Sequence, residues 1–241
     1  MILTSLLLVL LLLFLILPLF FYKKINDDIV LNCNVNPYNN IIEKGEGFII
    51  INDILDEKCR KSLVNSFLEE ARKNKNLNED KHLQFYSNKI FLNKLSKLIG
   101  EQLYPVNSFD LQRCWIRYYF EGMKAQYYEK YHNDIKRYNS NMKQYRLIIP
   151  IYDKSDTIFT IQDYGTFYFK QNMGVFLEAD NCVHKVNFNK GERLLLIMDF
   201  TTKDCDSLMD HYKCRGINGY YNWIKDVIWR HISSIYYKIV N

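Results

Sequence analysis

The feature that most constrains the fold is a series of short apolar and aromatic segments between residues 111 and 200. Turn residues separate these segments, and no helical spacing of apolar side chains lies between them. Many short strands joined by turns are typical of antiparallel double-sheet folds such as the jelly roll. The predicted strands are 111–120, 145–152, 157–162, 165–170, 174–178, 183–188 and 193–200.

Two helices are predicted before this series. A short apolar strand at 47–51 leads to Asp53 and Asp56, and a helix follows at about 57–73, with acids near its start that suit the helix dipole. A second amphipathic pattern covers 89–103. Both helices are expected to pack on a sheet. The predicted fold class is therefore mainly β with flanking helices, in a double-stranded β-helix (jelly roll) domain.

The N-terminus is predicted to be a membrane anchor. Residues 1–22 are almost entirely apolar and uncharged, which is long enough for a transmembrane helix. A basic start and a small-residue cleavage site are missing, so we expect an uncleaved anchor. Lys23 and Lys24 follow it, and the positive-inside rule then favours a cytoplasmic domain. The expected organisation is an anchor at 1–22, a linker at 23–46, the jelly-roll domain with its supporting helices at 47–205 and a helical segment at 206–241.

Charge and cysteine content exclude some function classes. The net charge of +5 over 241 residues is dispersed among acids and asparagines, so no nucleic-acid partner is expected. Six cysteines occur without any C-x-x-C spacing, which does not indicate a zinc knuckle. Free thiols are favoured, and a loop closed by Cys205 and Cys214 stays open as an alternative.

The candidate site consists of His132, Asp134 and His184. A His-x-Asp pair followed by a second histidine supplies two imidazoles and one carboxylate, which bind Fe(II) on one face and leave other positions open. Each histidine alone is more often a satisfied polar residue than a ligand. Arg193 strengthens the interpretation, because an arginine inside a barrel is costly without an anion. It could bind the distal carboxylate of an organic co-substrate.

These residues resemble a known family, the Fe(II)- and 2-oxoglutarate-dependent dioxygenases. The residues that resemble its prolyl 4-hydroxylase branch are Arg117-Tyr118, Gly122 and Tyr131-His132-Asn133-Asp134, then His184-Lys185-Val186 and Gly191-Glu192-Arg193. The likeness spans about residues 47–200. Residues 175–200 are also similar to aspartyl/asparaginyl β-hydroxylases, a branch that often lacks the iron-binding aspartate, so Asp134 favours the prolyl branch.

The resemblance implies a cofactor set and an activity. His132, Asp134 and His184 would hold Fe(II), and Arg193 would bind 2-oxoglutarate. Tyr118 would donate a hydrogen bond to the co-substrate, and Arg146 is a candidate second cation. Ascorbate is compatible with this chemistry. The implied function is a membrane-anchored hydroxylase of a protein or peptide side chain, prolyl or aspartyl/asparaginyl, which releases succinate and CO2.

Several alternatives remain open at this level. The family resemblance also allows a domain in the lumen of the endoplasmic reticulum, and the oligomeric state is undetermined. A different class of function is a non-catalytic, membrane-tethered jelly-roll module for binding or structure, in which an inward Arg193 would have no purpose. A halogenase-like relative is disfavoured by Asp134. The aromatic residues Phe159, Tyr164, Phe167, Tyr168 and Phe169 are either core, which we favour, or pocket lining.

Overall fold

The computed structural model of the chain describes residues 28–29, 40–75, 78–80, 82–106, 114–123, 129–134, 142–188 and 190–204. The predicted anchor at 1–22 and the C-terminal segment at 206–241 lie outside the described residues. Among the helices that are described, none is both long and apolar enough to cross a membrane. Cys59 is disulfide-bonded, so the expectation of free thiols is wrong for this residue, whereas Cys114 and Cys182 are buried thiols outside any disulfide.

Two α-helices precede most of the strands, as the sequence predicts. Helix α1 spans Glu57–Asn74 and helix α2 spans Lys89–Ile99. The side chains of Asp56 and Asn88 cap them by accepting hydrogen bonds from first-turn amides at 2.7 and 2.8 Å. Such caps satisfy N–H groups that have no partner within the helix. Helix α2 ends before residue 103 because Gly100 takes a left-handed conformation with φ of 83°.

The strands form two main antiparallel sheets. In chain order the strands are β1 (Asp28–Ile29), β2 (Ile41–Gly45), β3 (Phe48–Ile51), β4 (Asn78–Asp80), β5 (His82–Leu83), β6 (Tyr104–Pro105), β7 (Cys114–Phe120), β8 (Gln144–Ser155), β9 (Ile158–Ile161), β10 (Gly165–Tyr168), β11 (Gly174–Glu178), β12 (His184–Asn187) and β13 (Gly191–Thr201). An eight-stranded sheet has the order β2-β3-β11-β8-β13-β7-β4, with β6 paired to β13. A three-stranded sheet has the order β10-β9-β12, and β1 and β5 form a separate parallel pair.

The eight-stranded sheet is buried on both faces. One face, the helix face, packs against α1 and α2 through residues such as Leu194 and Leu196. The other, the inter-sheet face, packs against the three-stranded sheet through residues such as Leu195 and Ile197. Side chains alternate between the faces because the period of a strand is two residues. The prediction of a mainly β fold with flanking helices is confirmed, and the two packed sheets agree with a jelly roll.

A bulge interrupts the pairing of the two central strands. Along β13, Leu194 lies opposite Tyr152 but Leu195 lies opposite Pro150, so β8 carries one extra residue at this point. A bulge shifts the alternation of every residue beyond it. Tyr152 therefore packs on the helix face, and Asp153 lies opposite Arg193 on β13.

One boundary differs from the sequence prediction. The predicted linker at 23–46 contains strand β2, which pairs with β3 through a tight turn. Gly47 occupies this turn with φ of 76°, a conformation that side chains with a Cβ rarely adopt. Ile41 and Ile42 are exposed, and no side chain of β2 is fully buried. The strand therefore lacks the buried apolar face by which a sequence pattern reveals a strand.

Candidate metal centre

His132 and His184 are brought together by backbone pairing. The N–H of each residue donates to the carbonyl of the other, at 2.9 and 3.0 Å. This isolated antiparallel bridge adds His132 as a one-residue partner at the edge of the three-stranded sheet, next to β12. Asp134 follows His132 by two positions, and its carboxylate lies beside both imidazoles. The structure therefore assembles all three predicted metal ligands from segments fifty residues apart in sequence.

The three side chains offer ligand atoms at short mutual distances. Nε2 of His132 lies 3.9 Å from Oδ1 of Asp134, and Nε2 of His184 lies 3.7 Å from Oδ2. All three ligand atoms fall within 4.8 Å of one another. Neighbouring ligand atoms at about 2.1 Å from one ion are about 3 Å apart, so shifts of roughly 1 Å would close the group around an ion.

Backbone carbonyls orient both imidazole rings. Nδ1 of His132 lies 2.7 Å from the carbonyl of Lys130, and Nδ1 of His184 lies 3.2 Å from the carbonyl of Cys182. A carbonyl oxygen only accepts, so Nδ1 carries the proton in this arrangement and Nε2 presents its lone pair. This is the usual support of metal-binding histidines. The ring of Phe159 also stacks on His184 at 5.0 Å between centroids.

The protonation of the site suits a divalent metal. Burial alone would raise the pKa of Asp134, but the positive charge of Arg146 holds the pKa below its ordinary value. Burial lowers the pKa of His184, although Asp134 opposes this effect. An ionised carboxylate and a neutral imidazole are the metal-binding forms of these residues. Oδ2 of Asp134 is buried and accepts no hydrogen bond from any described residue. These donors fit Fe(II).

Arg146 contacts the carboxylate of a candidate metal ligand. Its guanidinium lies 2.8 Å from Oδ1 of Asp134 and donates two hydrogen bonds to the carboxylate of Asp199, at 2.7 and 3.0 Å. It is thus engaged with two carboxylates of the protein, one of them a predicted metal ligand. The role of a second cation for the co-substrate stays a prediction, and the structure adds the contact with Asp134. Asp199 itself was not singled out in the sequence as a site residue.

Arg193 lies where the sequence places it, inside the barrel. It is 1% exposed, and its guanidinium lies 4.4 Å from the centre of the Tyr119 ring, 5.2 Å from that of Phe188 and 5.8 Å from that of Phe169. Asp153 pairs with it across the sheet. Burial raises the pKa of Asp153, while its Ser155 hydrogen bonds and the charge of Arg193 act in the opposite direction. A guanidinium in an aromatic enclosure offers the forked geometry that carboxylates bind.

Tyr118 is not brought to the site. It points to the helix face, where its hydroxyl donates to Glu192 at 2.5 Å, and Glu192 also binds Arg72 at 2.6 Å. The adjacent Tyr119 lies on the inter-sheet face beside Arg193. A shift of one residue along a strand reverses the face. The residue that pairs directly with Arg193 across the strands is Tyr119, so Tyr119 and not Tyr118 shares its face. The sequence could not show this, because two successive tyrosines suit either face of a strand.

The predicted aromatic run is divided between core and surface. Phe159 and Phe169 are buried between the sheets, as the favoured core interpretation requires. They also contact site residues, since Phe159 stacks on His184 and Phe169 lies near Arg193. Phe167 packs against the same core while partly buried, and Tyr164 and Tyr168 are exposed, although the Tyr164 ring contacts that of Phe48 at 4.4 Å.

Comparisons with known proteins give likenesses of structure alone. No family model matches this chain, and no curated protein sequence is similar to it. Solved structures that are similar include a prolyl 4-hydroxylase of Pseudomonas putida, with 11% identity, a TM-score of 0.46 and coverage of 66% of this chain and 89% of that one. A viral collagen prolyl hydroxylase of Paramecium bursaria Chlorella virus-1 has 11% identity, a TM-score of 0.46 and coverage of 66% and 98%. A 2OG-Fe(II) oxygenase family protein of Burkholderia pseudomallei has 11% identity, a TM-score of 0.45 and coverage of 76% and 98%. At these values the function has to be inferred from the residues of the site.

Proposed function

We propose that this chain is a Fe(II)- and 2-oxoglutarate-dependent dioxygenase. The observation that carries this proposal is the convergence of His132, Asp134 and His184, with both histidines turned by backbone carbonyls so that Nε2 faces the carboxylate. Two imidazoles and one carboxylate bind Fe(II) on one side and leave positions for a co-substrate and dioxygen. The motif resemblance of residues 117–134 and 184–193 supports the same family.

Different residues would hold the metal and the co-substrate. His132, Asp134 and His184 would hold the metal. Arg193 would bind the distal carboxylate of 2-oxoglutarate, and Tyr119 flanks its guanidinium at 4.4 Å. The two sheets enclose this cation and exclude water, which strengthens its attraction for an anion. When bound, iron with 2-oxoglutarate and dioxygen would supply an oxidant for C–H bonds, one oxygen atom passing to succinate, which forms with CO2, and the other to the substrate.

The substrate and the membrane attachment belong to the same proposal. A protein or peptide side chain is the proposed substrate, and a prolyl residue is favoured over an aspartyl or asparaginyl one because Asp134 is present. Residues 1–22 would anchor the enzyme in a membrane as a single-pass protein. Lys23 and Lys24 favour a cytoplasmic catalytic domain.

The test uses the full chain in detergent micelles, purified without oxygen. Its melting temperature is measured with Mn(II) or Fe(II), with and without 2-oxoglutarate, and succinate release is followed under air. A ligand that binds only the folded state raises the melting temperature. We expect the largest rise with metal and 2-oxoglutarate together, and its loss in the His132→Ala/Asp134→Ala variant. A well-folded protein that shows no rise with either metal would instead support the non-catalytic tethered module.

A further inference from the structure

The two oxygens of the Asp134 carboxylate have different surroundings. Oδ1 lies 2.8 Å from Nη1 of Arg146, whereas Oδ2 lies 3.7 Å from Nε2 of His184 and accepts no hydrogen bond from the described residues. Each oxygen lies near one imidazole, since Oδ1 is also 3.9 Å from Nε2 of His132, but only Oδ1 contacts a guanidinium. A carboxylate divided in this way is prepared to bind a metal through a single oxygen.

Arg146 is itself held in place from several directions. The carboxylate of Asp199 accepts hydrogen bonds from Nε at 2.7 Å and Nη2 at 3.0 Å, and the ring of Trp115 lies 5.0 Å from the guanidinium. Asp199 is 3% exposed, and its carbonyl accepts a hydrogen bond from the hydroxyl of Tyr86. A bidentate carboxylate fixes the plane of a guanidinium as well as its position. The nitrogen that contacts Asp134 therefore has a defined direction.

Asp199 also balances the charge of this arrangement. Arg146 by itself would neutralise Asp134, and a neutralised carboxylate attracts a divalent cation weakly. With Asp199 included, the two carboxylates and one guanidinium keep one net negative charge. Asp199 thereby allows Arg146 to hold Oδ1 without cancelling the charge that a metal needs.

We propose that Asp199 and Arg146 are positioning residues for the metal centre: Asp199 fixes Arg146, and Arg146 holds Oδ1 of Asp134 so that only Oδ2 faces the metal. This inference rests on the proposed metal site and deepens it. Asp199 and Arg193 lie on the same face of β13, six positions apart, so one strand would carry both the co-substrate cation and the support of the metal-binding carboxylate.

The experiment is a Co(II) titration of the full chain in detergent micelles, without 2-oxoglutarate. It records the dissociation constant and the visible absorption spectrum, which reports the geometry of bound Co(II). Residues that orient metal ligands typically contribute about 10- to 100-fold in metal affinity. We expect Asp199→Asn to weaken Co(II) binding by about this factor and to change the spectrum, although Asp199 does not touch the metal.

Two further variants separate positioning from charge and from folding. Arg146→Lys keeps the charge but lacks the fork that contacts both carboxylates, so it is expected to bind Co(II) as weakly as Asp199→Asn. Glu57→Gln breaks another bidentate carboxylate–arginine pair, with Arg60 at 2.7 Å on helix α1, and is expected to bind like wild type. Circular dichroism of each variant verifies that it is folded.

The outcomes distinguish this inference from the proposed function. Wild-type affinity and spectrum in folded Asp199→Asn, or in Arg146→Lys, would overturn the positioning role while the metal centre stands. A folded wild-type chain that binds no Co(II) would overturn both. A loss of affinity in Glu57→Gln equal to that in Asp199→Asn would also overturn the positioning role, because the effect would then be general.

Discussion

The two faces of the eight-stranded sheet differ in how they bury charge. On the helix face most buried residues are apolar, and the buried Arg60 is paired with the exposed Glu57. The ion pair of Arg72 and Glu192 lies at the rim of this face, partly in water. On the inter-sheet face Arg146, Asp199 and Arg193 are enclosed between the sheets. Burying charge opposes folding unless a partner compensates it. The helix face therefore contributes stability, whereas the inter-sheet face carries buried charged groups at a cost in stability.

The largest expected effect is on the helix face. Phe67 is a buried residue of α1 in the core between the helices and the sheet. Phe67→Ala should lower the free energy of unfolding by about 3–5 kcal/mol, because it removes a large side chain and leaves a cavity. Chemical denaturation measures this loss. Co(II) affinity below the melting temperature should stay within about twofold of wild type.

The control for this change is Ile90→Ala. Ile90 is 67% exposed on α2, so its truncation should change the free energy of unfolding by less than about 0.5 kcal/mol. If Phe67→Ala instead abolished metal binding in a folded sample, the two faces would not be energetically separate.

The next effect is on the inter-sheet face. Arg193→Met should weaken 2-oxoglutarate binding by about 100-fold, or about 2.7 kcal/mol, since a charge-assisted contact is lost. Calorimetry with the Mn(II)-loaded full chain measures the affinity. Arg72→Met, on the other face, should leave it unchanged, and equal losses in both variants would contradict the division of roles.

A pH dependence is expected from the rim of the helix face. The hydrogen bond from Arg72, assisted by Tyr118 and Tyr152, lowers the pKa of Glu192 to about 2. A carboxyl whose pKa is lower in the folded state stabilises the protein above its unfolded pKa, and this stability is lost as pH falls through the folded pKa. Glu192 should therefore contribute fully above about pH 4.5 and progressively less down to about pH 2.

Glu192→Gln tests this expectation. The variant should be about 1–2 kcal/mol less stable at pH 7, and the difference from wild type should shrink as pH falls below about 4.5. Urea denaturation at several pH values measures both quantities. Glu70→Gln, on the exposed side of α1, serves as the control. A difference that is constant from pH 7 to pH 3 would contradict the assigned pKa.

The smallest expected effect separates two adjacent tyrosines. Tyr119→Leu removes the ring that lies 4.4 Å from the Arg193 guanidinium, and the dissociation constant of 2-oxoglutarate should rise about fivefold. Tyr118→Phe removes only a hydroxyl on the opposite face and should leave that constant unchanged. The same calorimetric titration compares them. The reverse order of effects would assign Tyr118 to the co-substrate site.

Much of the fold could be predicted from sequence, because local patterns determine it. The helices at 57–73 and 89–103 and the strands between 145 and 200 follow from hydrophobic periodicity, and the structure places elements at all of them. The three candidate metal ligands could be singled out because a His-x-Asp pair and a later histidine form a recognisable set. Periodicity alone could not choose between Tyr118 and Tyr119, since both residue types suit a strand.

The supporting residues could not be predicted for a different reason. Arg146 and Asp199 lie on two strands whose pairing register is a tertiary property, and only this register places one opposite the other. The carbonyls that orient His132 and His184 belong to Lys130 and Cys182, whose side chains play no part in the contact. Such backbone contacts leave no signature in residue identity.

The bulge at Ile151 determines which side chain of β8 lies opposite Arg193. It takes up one residue, so that Tyr152 packs on the helix face and Asp153 lies opposite Arg193. If β8 paired regularly through Ile151, Tyr152 would lie opposite Arg193 and Asp153 would turn toward the helices. A single-codon deletion of Ile151 would remove the bulge and still leave Asp153 opposite Arg193, so this strand can lose a residue in one mutational step while the acid beside the buried guanidinium keeps its place.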